Sequence, residues 1–122
     1  MATAVVNFSG LVLGDNVFIK VNQFYHGNGD QAQNIETWNV FATVKRTSLD
    51  ADANAVVVRD SSANITLSGP QATFNLFASE TTNFDAGRTY VYDVQSNDPD
   101  GFIQTVQRGT LSFVTEVTQR TS

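Results

Sequence analysis

The sequence predicts an all-β protein, and three of its features support this prediction. Short runs with apolar residues at every second position recur about every ten residues, as in β-sandwiches and barrels. Clusters of Gly, Asn, Asp, Pro and Ser separate these runs, as is typical of turns. No stretch has the apolar spacing of a long amphipathic helix. We therefore expect an antiparallel β-sandwich of about seven or eight strands in residues 15–122, preceded by an N-terminal arm or strand in residues 1–14.

Each predicted strand rests on period-two alternation of apolar and polar side chains or on a β-branched composition. The eight runs are residues 17–21, 38–44, 55–58, 64–68, 72–77, 90–95, 102–108 and 111–117. Such runs bury one set of alternate side chains and leave the other set exposed. Eight short strands with turn signals between them are enough to form the two sheets of a sandwich.

Turn-forming residues define the connections between these strands. A polar stretch from residue 25 to residue 37 predicts a long exposed loop. Residues 78–85 predict a short helical turn, with Ser79 as its N-cap. The run Asn97-Asp98-Pro99-Asp100-Gly101 predicts a hairpin loop, because Asp and Asn bond nearby backbone and Gly adopts positive φ. Gly109 is expected to end the strand that follows this loop.

Composition limits the possible classes of function. The chain has 122 residues, the size of one domain with its own hydrophobic core. It has no cysteine, which excludes disulfides, thiol catalysis and cysteine-ligated zinc. The net charge is −5 and the basic residues are scattered, so we expect no nucleic-acid partner. No apolar run is long enough to span a bilayer, so we expect no membrane partner either.

Residues of the types that carry catalysis or bind metals are few. His26 is the only histidine and lies in a loop without a predicted partner, so no catalytic triad is indicated. Residues 50–54 (DADAN) have the spacing that begins a calcium loop, but the glycine and the bidentate glutamate that complete it are absent. Asp98 and Asp100 leave a divalent ion open, although a hairpin loop is the favoured interpretation. We expect no enzyme activity and no cofactor.

Some predicted strands carry apolar side chains on both faces. Phe18, Phe41, Phe77, Val91 and Val114 fall opposite the main apolar stripe. In a sandwich, the second face of each sheet normally contacts water and is polar. Apolar residues on this second face therefore predict burial against another protein.

Two aromatic residues match features of immunoglobulin-like (Ig-like) sandwiches. Tyr90 opens a strand after the turn Asp85-Ala86-Gly87-Arg88, as in a tyrosine corner, whose hydroxyl returns to upstream backbone. Trp38 fits the buried tryptophan of strand C. In a carbohydrate- or host-binding module, Tyr25, Trp38 or Phe84 would instead be exposed and form a stacking platform. We favour the buried alternative for Trp38.

Several segments follow one another in a distinctive order between residues 15 and 118. They are the Trp38 strand ending at Lys45-Arg46, Ile65-Thr66-Leu67, Ser79-Glu80-Thr81-Thr82, the run from Asp85 to Gln95, Asp98-Pro99-Asp100-Gly101, Arg108-Gly109-Thr110-Leu111 and the run from Val114 to Thr118. This order resembles small Ig-like virion proteins of tailed bacteriophages, including the N-terminal domain of siphophage baseplate upper proteins. The resemblance implies a structural protein of the virion, in which Tyr90, Tyr92, Asp93, Gly101 and Gly109 determine the fold.

The resemblance leaves two locations in the virion open. A capsid decoration or cement protein would cover the outer surface of the head in many copies, as a homo-oligomer docked on the major capsid protein. A tail or baseplate adaptor would dock on tail proteins instead. In either location, the N-terminal arm and the second apolar face are expected to form the interface. The interface candidates are Val5, Val6, Phe8, Leu11, Leu13, Phe77 and Val114.

Overall fold

The computed structural model describes residues 4–46, 57–61, 65–82 and 84–115, and their regular structure is almost entirely β. These residues contain nine strands and one short helix. The strands are β1 (Ala4–Val5), β2 (Phe8–Val12), β3 (Val17–Val21), β4 (Asn39–Lys45), β5 (Val57–Asp60), β6 (Ile65–Ser68), β7 (Gln71–Leu76), β8 (Thr89–Asn97) and β9 (Ile103–Val114). The helix α1 (Ala78–Thr81) lies between β7 and β8. The predicted all-β class is therefore confirmed.

The strands form two sheets. The larger sheet has the order β1-β9-β8-β4-β5, with β2 also paired to β9, and the smaller sheet has the order β3-β7-β6. With β8 and β9 as strands F and G, these are the G-F-C-C′ and B-E-D orders of an immunoglobulin-like sandwich. Among the described strands, β3 to β9 pair antiparallel, as predicted for residues 15–122, and β1 and β2 of the N-terminal segment run parallel to β9.

The inward faces of both sheets form one hydrophobic core. In β3, Val17, Ile19 and Val21 are buried while the residues between them are exposed. Strands β4, β7 and β8 show the same alternation. The period-two pattern thus correctly indicates which side chains face the core, because successive side chains of a strand point to opposite faces.

Two predicted strands are a single strand in the structure. The prediction that Gly109 ends a strand is wrong, because β9 continues through it from Ile103 to Val114. Gly109 lies opposite Tyr92, and a Cβ atom on it would lie 1.9 Å from the carbonyl oxygen of Val6. Glycine is therefore required by the close approach of the N-terminal segment. The strand count rises to nine because this segment contributes two strands.

The tyrosine corner is confirmed. The hydroxyl of Tyr90 accepts a hydrogen bond from the backbone N–H of Asp85 at 2.8 Å. The Tyr90 ring stacks on Phe84 with centroids 4.6 Å apart, and Phe113 meets Phe84 edge-on at 4.7 Å. This aromatic cluster fixes the entry of the chain into β8 and buries Phe84 at the end of the sandwich.

The predicted hairpin loop between β8 and β9 is also confirmed. One carboxylate oxygen of Asp98 accepts hydrogen bonds from the N–H groups of Asp100 and Phe102, both at 2.9 Å. Gly101 has φ of 85°, which a residue with a side chain adopts only with strain. Asp98 is buried because it closes the loop from inside.

The loop from residue 22 to residue 38 differs from the prediction of a long exposed connection. Phe24, Ala32 and Ile35 are buried within it. Ala32 donates to the carbonyl of Phe24 at 2.8 Å, which folds the loop back on itself. The longest uninterrupted exposed run is residues 26–31, and residues 33, 34, 36 and 37 are exposed as well. The sequence concealed this burial because the apolar residues are irregularly spaced among turn formers.

The N-cap of α1 is not Ser79, which lies inside the helix after the N-cap Phe77. The first helical N–H, that of Ala78, donates to the side-chain carbonyl of Asn16 at 2.7 Å. The Glu80 carboxylate accepts from the N–H of Phe77 at 2.9 Å. The helix is therefore capped by a residue distant in sequence and by its own third residue, and helix-terminal N–H groups need such partners.

Arg59 joins the edge of the larger sheet to the smaller sheet. From β5, its Nε donates to the carbonyl of Asn75 in β7 at 3.2 Å, and its Nη2 forms an ion pair with Glu80 in α1. Burial raises the pKa of Glu80, but the hydrogen bonds from Arg59 and from the N–H of Phe77, with the Arg59 charge, lower it overall. The guanidinium also lies 5.8 Å from the ring centroid of Phe77.

Candidate interaction surface

The N-terminal segment is an edge of the larger sheet. Residues 4 and 5 pair with Gln107 and Arg108, and β2 then pairs with β9 from Leu111 onward. The register is the same in β1 and at Phe8, and it shifts within β2 between Phe8 and Leu11. Between the two strands, the side-chain oxygen of Asn7 accepts a hydrogen bond from the N–H of Thr110 at 3.0 Å. Of the two alternatives predicted for residues 1–14, an arm or a strand, the strand therefore fits residues 4–12, which contain β1 and β2.

The backbone of Val6 in the N-terminal segment lies against Gly109 of β9, a contact that we call the N-terminal crossing, and Tyr92 holds it in place. Its hydroxyl donates to the carbonyl of Val6 at 2.7 Å and accepts from Nε2 of Gln107 at 2.9 Å. Burial raises the pKa of Tyr92, and the hydrogen bond from Gln107 offsets only part of this increase. Together with the space left by Gly109, these bonds make the crossing part of the fold.

The interface candidates divide into two groups. Phe8, Leu11 and Leu13 are half-buried and pack against the core, so they are engaged within the chain. The other four remain exposed: Val5, Val6, Phe77 and Val114. Burial inside the same chain removes the first group from a docking surface, because those side chains have already left water.

The outer face of the larger sheet is the face directed away from the core. One row of cross-strand neighbours on it contains Val5, Arg108, Asp93, Thr43 and Val58. Cross-strand neighbours project from the same face, so these side chains lie side by side. The row is apolar at both ends, and it carries opposite charges near its middle. Asp93, a predicted fold determinant, thus lies on this face beside Arg108.

Most of the exposed apolar side chains belong to this outer face. The described residues have eight exposed large hydrophobic side chains, and five of them project from it. They are Val5, Phe41, Val58, Ile103 and Val114. The sequence predicted Phe41 and Val114 but missed Val58, since a continuous run of valines does not show which of them faces outward. Ile103 was missed because it lies next to a loop.

A hollow of about 380 Å³ lies on this face beside the N-terminal crossing. Its lining includes Asn7, Val91, Lys45, Asp93 and Arg108. Two basic side chains and one acidic side chain give it an excess of positive charge, in a chain whose net charge is −5. A hollow with these groups is complementary to an acidic or polar side chain of a partner, because opposite potentials favour docking.

A second hollow, of about 460 Å³, lies between the loop tip at residues 26–30 and the hairpin loop. Asp98 and Asp100 both line it, but Asp98 already accepts two backbone hydrogen bonds. Among the described residues, no group of three or more His, Cys, Asp or Glu side chains is arranged to hold a metal. Residues 50–54 lie outside the described residues. The geometry assigns no ion to this hollow.

The structure does not form the exposed stacking platform that a carbohydrate-binding module would need from these residues. Trp38 and Phe84 are buried, with exposures of 5% and 4%. Trp38 meets Phe24 edge-on at 6.4 Å and His26 at 5.3 Å, which confirms the buried-tryptophan alternative. Tyr25 is half-buried, so these three residues form no exposed platform.

No protein-family model matches the chain, and no curated protein matches it either. The described residues contain no helix that is long and apolar enough to cross a membrane.

Proposed function

We propose that the protein is a non-enzymatic structural protein of a tailed-bacteriophage virion, and that it is a capsid decoration or cement protein. It docks on the major capsid protein through the outer face of its larger sheet. The observation that carries the proposal is the concentration of exposed apolar side chains on this face, five of the eight in the described residues. The order of segments between residues 15 and 118, which resembles Ig-like phage proteins, supports the virion as the place.

The energetics of such docking favour this face. Phe41 and Val58 are 39% and 56% exposed, so docking adds the corresponding share of the about 1.5–3 kcal/mol that complete burial of such a side chain contributes. The side chains stand on strands of a hydrogen-bonded sheet, so docking orders little backbone and loses little conformational entropy. Repetition on a symmetric shell multiplies the number of such contacts.

The hollow adds specificity to this apolar contact. The charges of Lys45 and Arg108 exceed that of Asp93, which favours an acidic group of the capsid protein at this point. Docking is then expected to weaken at high salt, because exposed charge pairs are screened. The apolar part of the contact is much less sensitive to salt.

Incorporation of surface variants into particles tests the proposal. In a phage that lacks the gene, we expect the wild-type chain supplied in trans to be incorporated. Val58→Lys should reduce incorporation about tenfold or more, because it places a charge in the apolar contact. Thr66→Lys is the matched control, since Thr66 is exposed on the smaller sheet. Equal incorporation of both folded variants would contradict docking through the outer face.

A tail or baseplate adaptor is the second candidate. The resemblance includes a baseplate domain, and this observation favours it. The same outer face would then dock on a tail or baseplate protein. The two candidates differ in copy number, because a shell offers many more equivalent sites than a tail ring does.

A further inference from the structure

Strand β3 is an edge of the smaller sheet. It pairs with β7 along its whole length, from Val17 opposite Leu76 to Val21 opposite Ala72. On its other side, no strand within the described ranges 4–46, 57–61, 65–82 and 84–115 pairs with it. Residues 4–12, which precede it, join the larger sheet instead. An edge strand presents backbone N–H and C=O groups that pair readily with another strand.

The side chains of β3 are suited to pairing rather than to exposure. Its inward residues Val17, Ile19 and Val21 belong to the core. Its outward residues are Phe18 and Lys20, and Phe18 is 61% exposed. Phe18 therefore offers an apolar contact beside the open edge, which a pairing strand would cover.

We propose that two copies of the chain pair through β3, antiparallel and centred on Ile19. The two smaller sheets then become one continuous sheet across a two-fold axis. On its outer side, Phe18 of each copy lies opposite Lys20 of the other, so the ammonium group and its aliphatic stem cover the exposed ring. On its inner side, Val17 lies opposite Val21, and the two cores meet at Ile19.

The sequence of β3 selects a second copy in this register as the occupant. Sliding one strand by two residues places either Lys20 opposite Lys20 or Phe18 opposite Phe18, and it loses two of the five residue pairs. Sliding by one residue brings core side chains opposite outward ones, which the alternation of the strand forbids. Only the register centred on Ile19 pairs all five residues without opposing like charges.

Self-association of the purified chain tests this proposal. We expect a dimer by sedimentation equilibrium. Phe18→Lys should raise the dissociation constant about tenfold or more. The change places a lysine opposite Lys20 of the other copy, and the two-fold axis repeats this like-charge pair. Phe18→Lys combined with Lys20→Glu should restore the dimer, because each lysine then faces a glutamate. Phe41→Lys, on the outer face of the larger sheet, is the control and should leave the dimer intact.

A disulfide reports the register directly, because the chain has no cysteine. Residues directly opposite in antiparallel strands have Cα atoms about 4.5–5.5 Å apart, within reach of a disulfide. A mixture of Phe18→Cys and Lys20→Cys chains should therefore cross-link on oxidation, whereas Thr66→Cys on β6 should not. A monomer at every concentration would overturn the proposal. A dimer lost in Phe41→Lys but kept in Phe18→Lys would overturn it too.

The proposal and the virion function fail separately. The pairing needs only the purified chain, whereas docking through the larger sheet needs the particle. A dimer of a protein absent from virions would support the pairing and contradict the virion role. Incorporation of a strictly monomeric chain into virions would support the virion role and contradict the pairing.

Discussion

Two tyrosines in β8 each form a hydrogen bond between the side-chain hydroxyl and the backbone, but the two backbone partners lie at very different distances along the chain. Tyr90 and Tyr92 are both buried, and both have a hydrogen-bonded hydroxyl. The hydroxyl of Tyr90 accepts from the N–H of Asp85, five residues earlier. The hydroxyl of Tyr92 donates to the carbonyl of Val6, which is 86 residues away. One tyrosine therefore stabilises a local corner, and the other attaches the N-terminal segment to β8.

This difference determines what each substitution should damage. A local corner holds a turn that its flanking strands also define. The crossing at Tyr92 holds a short edge segment whose strand partner among the described residues is β9 alone, so its loss should release β1 and β2 before it affects the rest of the sandwich. Gly109 belongs to the same crossing, because the carbonyl of Val6 lies against it.

The largest effect is expected for Gly109→Val. Its Cβ would overlap the carbonyl of Val6 at 1.9 Å, so the N-terminal segment must move away from β9. We expect a loss of about 3 kcal/mol in the free energy of unfolding, measured by urea denaturation. Gly27→Ala is the control, because its Cβ would meet only the Phe102 side chain, at 3.3 Å. Equal stability of the two variants would contradict this role of Gly109.

A smaller loss is expected for Tyr92→Phe. The change leaves the carbonyl of Val6 and the amide of Gln107 without a partner in a buried region, which costs about 1–3 kcal/mol. Hydrogen exchange should accelerate in residues 4–12 before it does in β8. Because burial raises the pKa of Tyr92 above its ordinary 10.0, the wild type should lose stability as the pH rises beyond 10. Tyr92→Phe should lack this component of the alkaline loss.

Tyr90→Phe should cost less, about 0.5–1.5 kcal/mol, because it removes one hydrogen bond. Asp85 is exposed, so water can replace the hydroxyl as the partner of its N–H. Hydrogen exchange should accelerate around residues 84–90 and remain unchanged in residues 4–12. An unchanged urea midpoint would contradict the stabilising role of this corner.

The smallest effect concerns Glu80, whose side chain is 28% exposed. Its pKa is lowered in the folded state, so its contribution is present above the ordinary value of 4.5 and is lost as the pH falls through the lowered pKa. Glu80→Gln should therefore flatten the acid limb of the stability profile. The cost at neutral pH should be about 1 kcal/mol or less, because partly exposed ion pairs contribute little. An unaltered acid limb would show that the Arg59 ion pair is irrelevant to stability.

The same contrast explains which features the sequence predicts. The strands, the corner at Tyr90 and the loop closed by Asp98 follow from alternation and turn chemistry, which act between near neighbours. The reason for Gly109, the capping of α1 by Asn16 and the burial of Ile35 depend on contacts between distant segments. Such contacts join residues that are far apart in the sequence, so no local pattern in a single sequence predicts them.

The candidate surface was predicted in part for a similar reason. Alternation correctly placed Phe41 on the second face of its strand. It could not show that Phe8 and Leu11 pack against the core, because this depends on how residues 4–12 join β9. Hydrophobicity alone does not distinguish an edge strand from an interface arm, since both bury apolar side chains.

The most direct test of the account is the copy number of the chain per purified virion, measured by quantitative mass spectrometry against the major capsid protein. We expect a count comparable with that of the major capsid protein, because the shell offers many equivalent docking sites. A count of the size of a tail ring would move the same docking surface to the tail. Absence of the chain from purified virions would contradict the central claim.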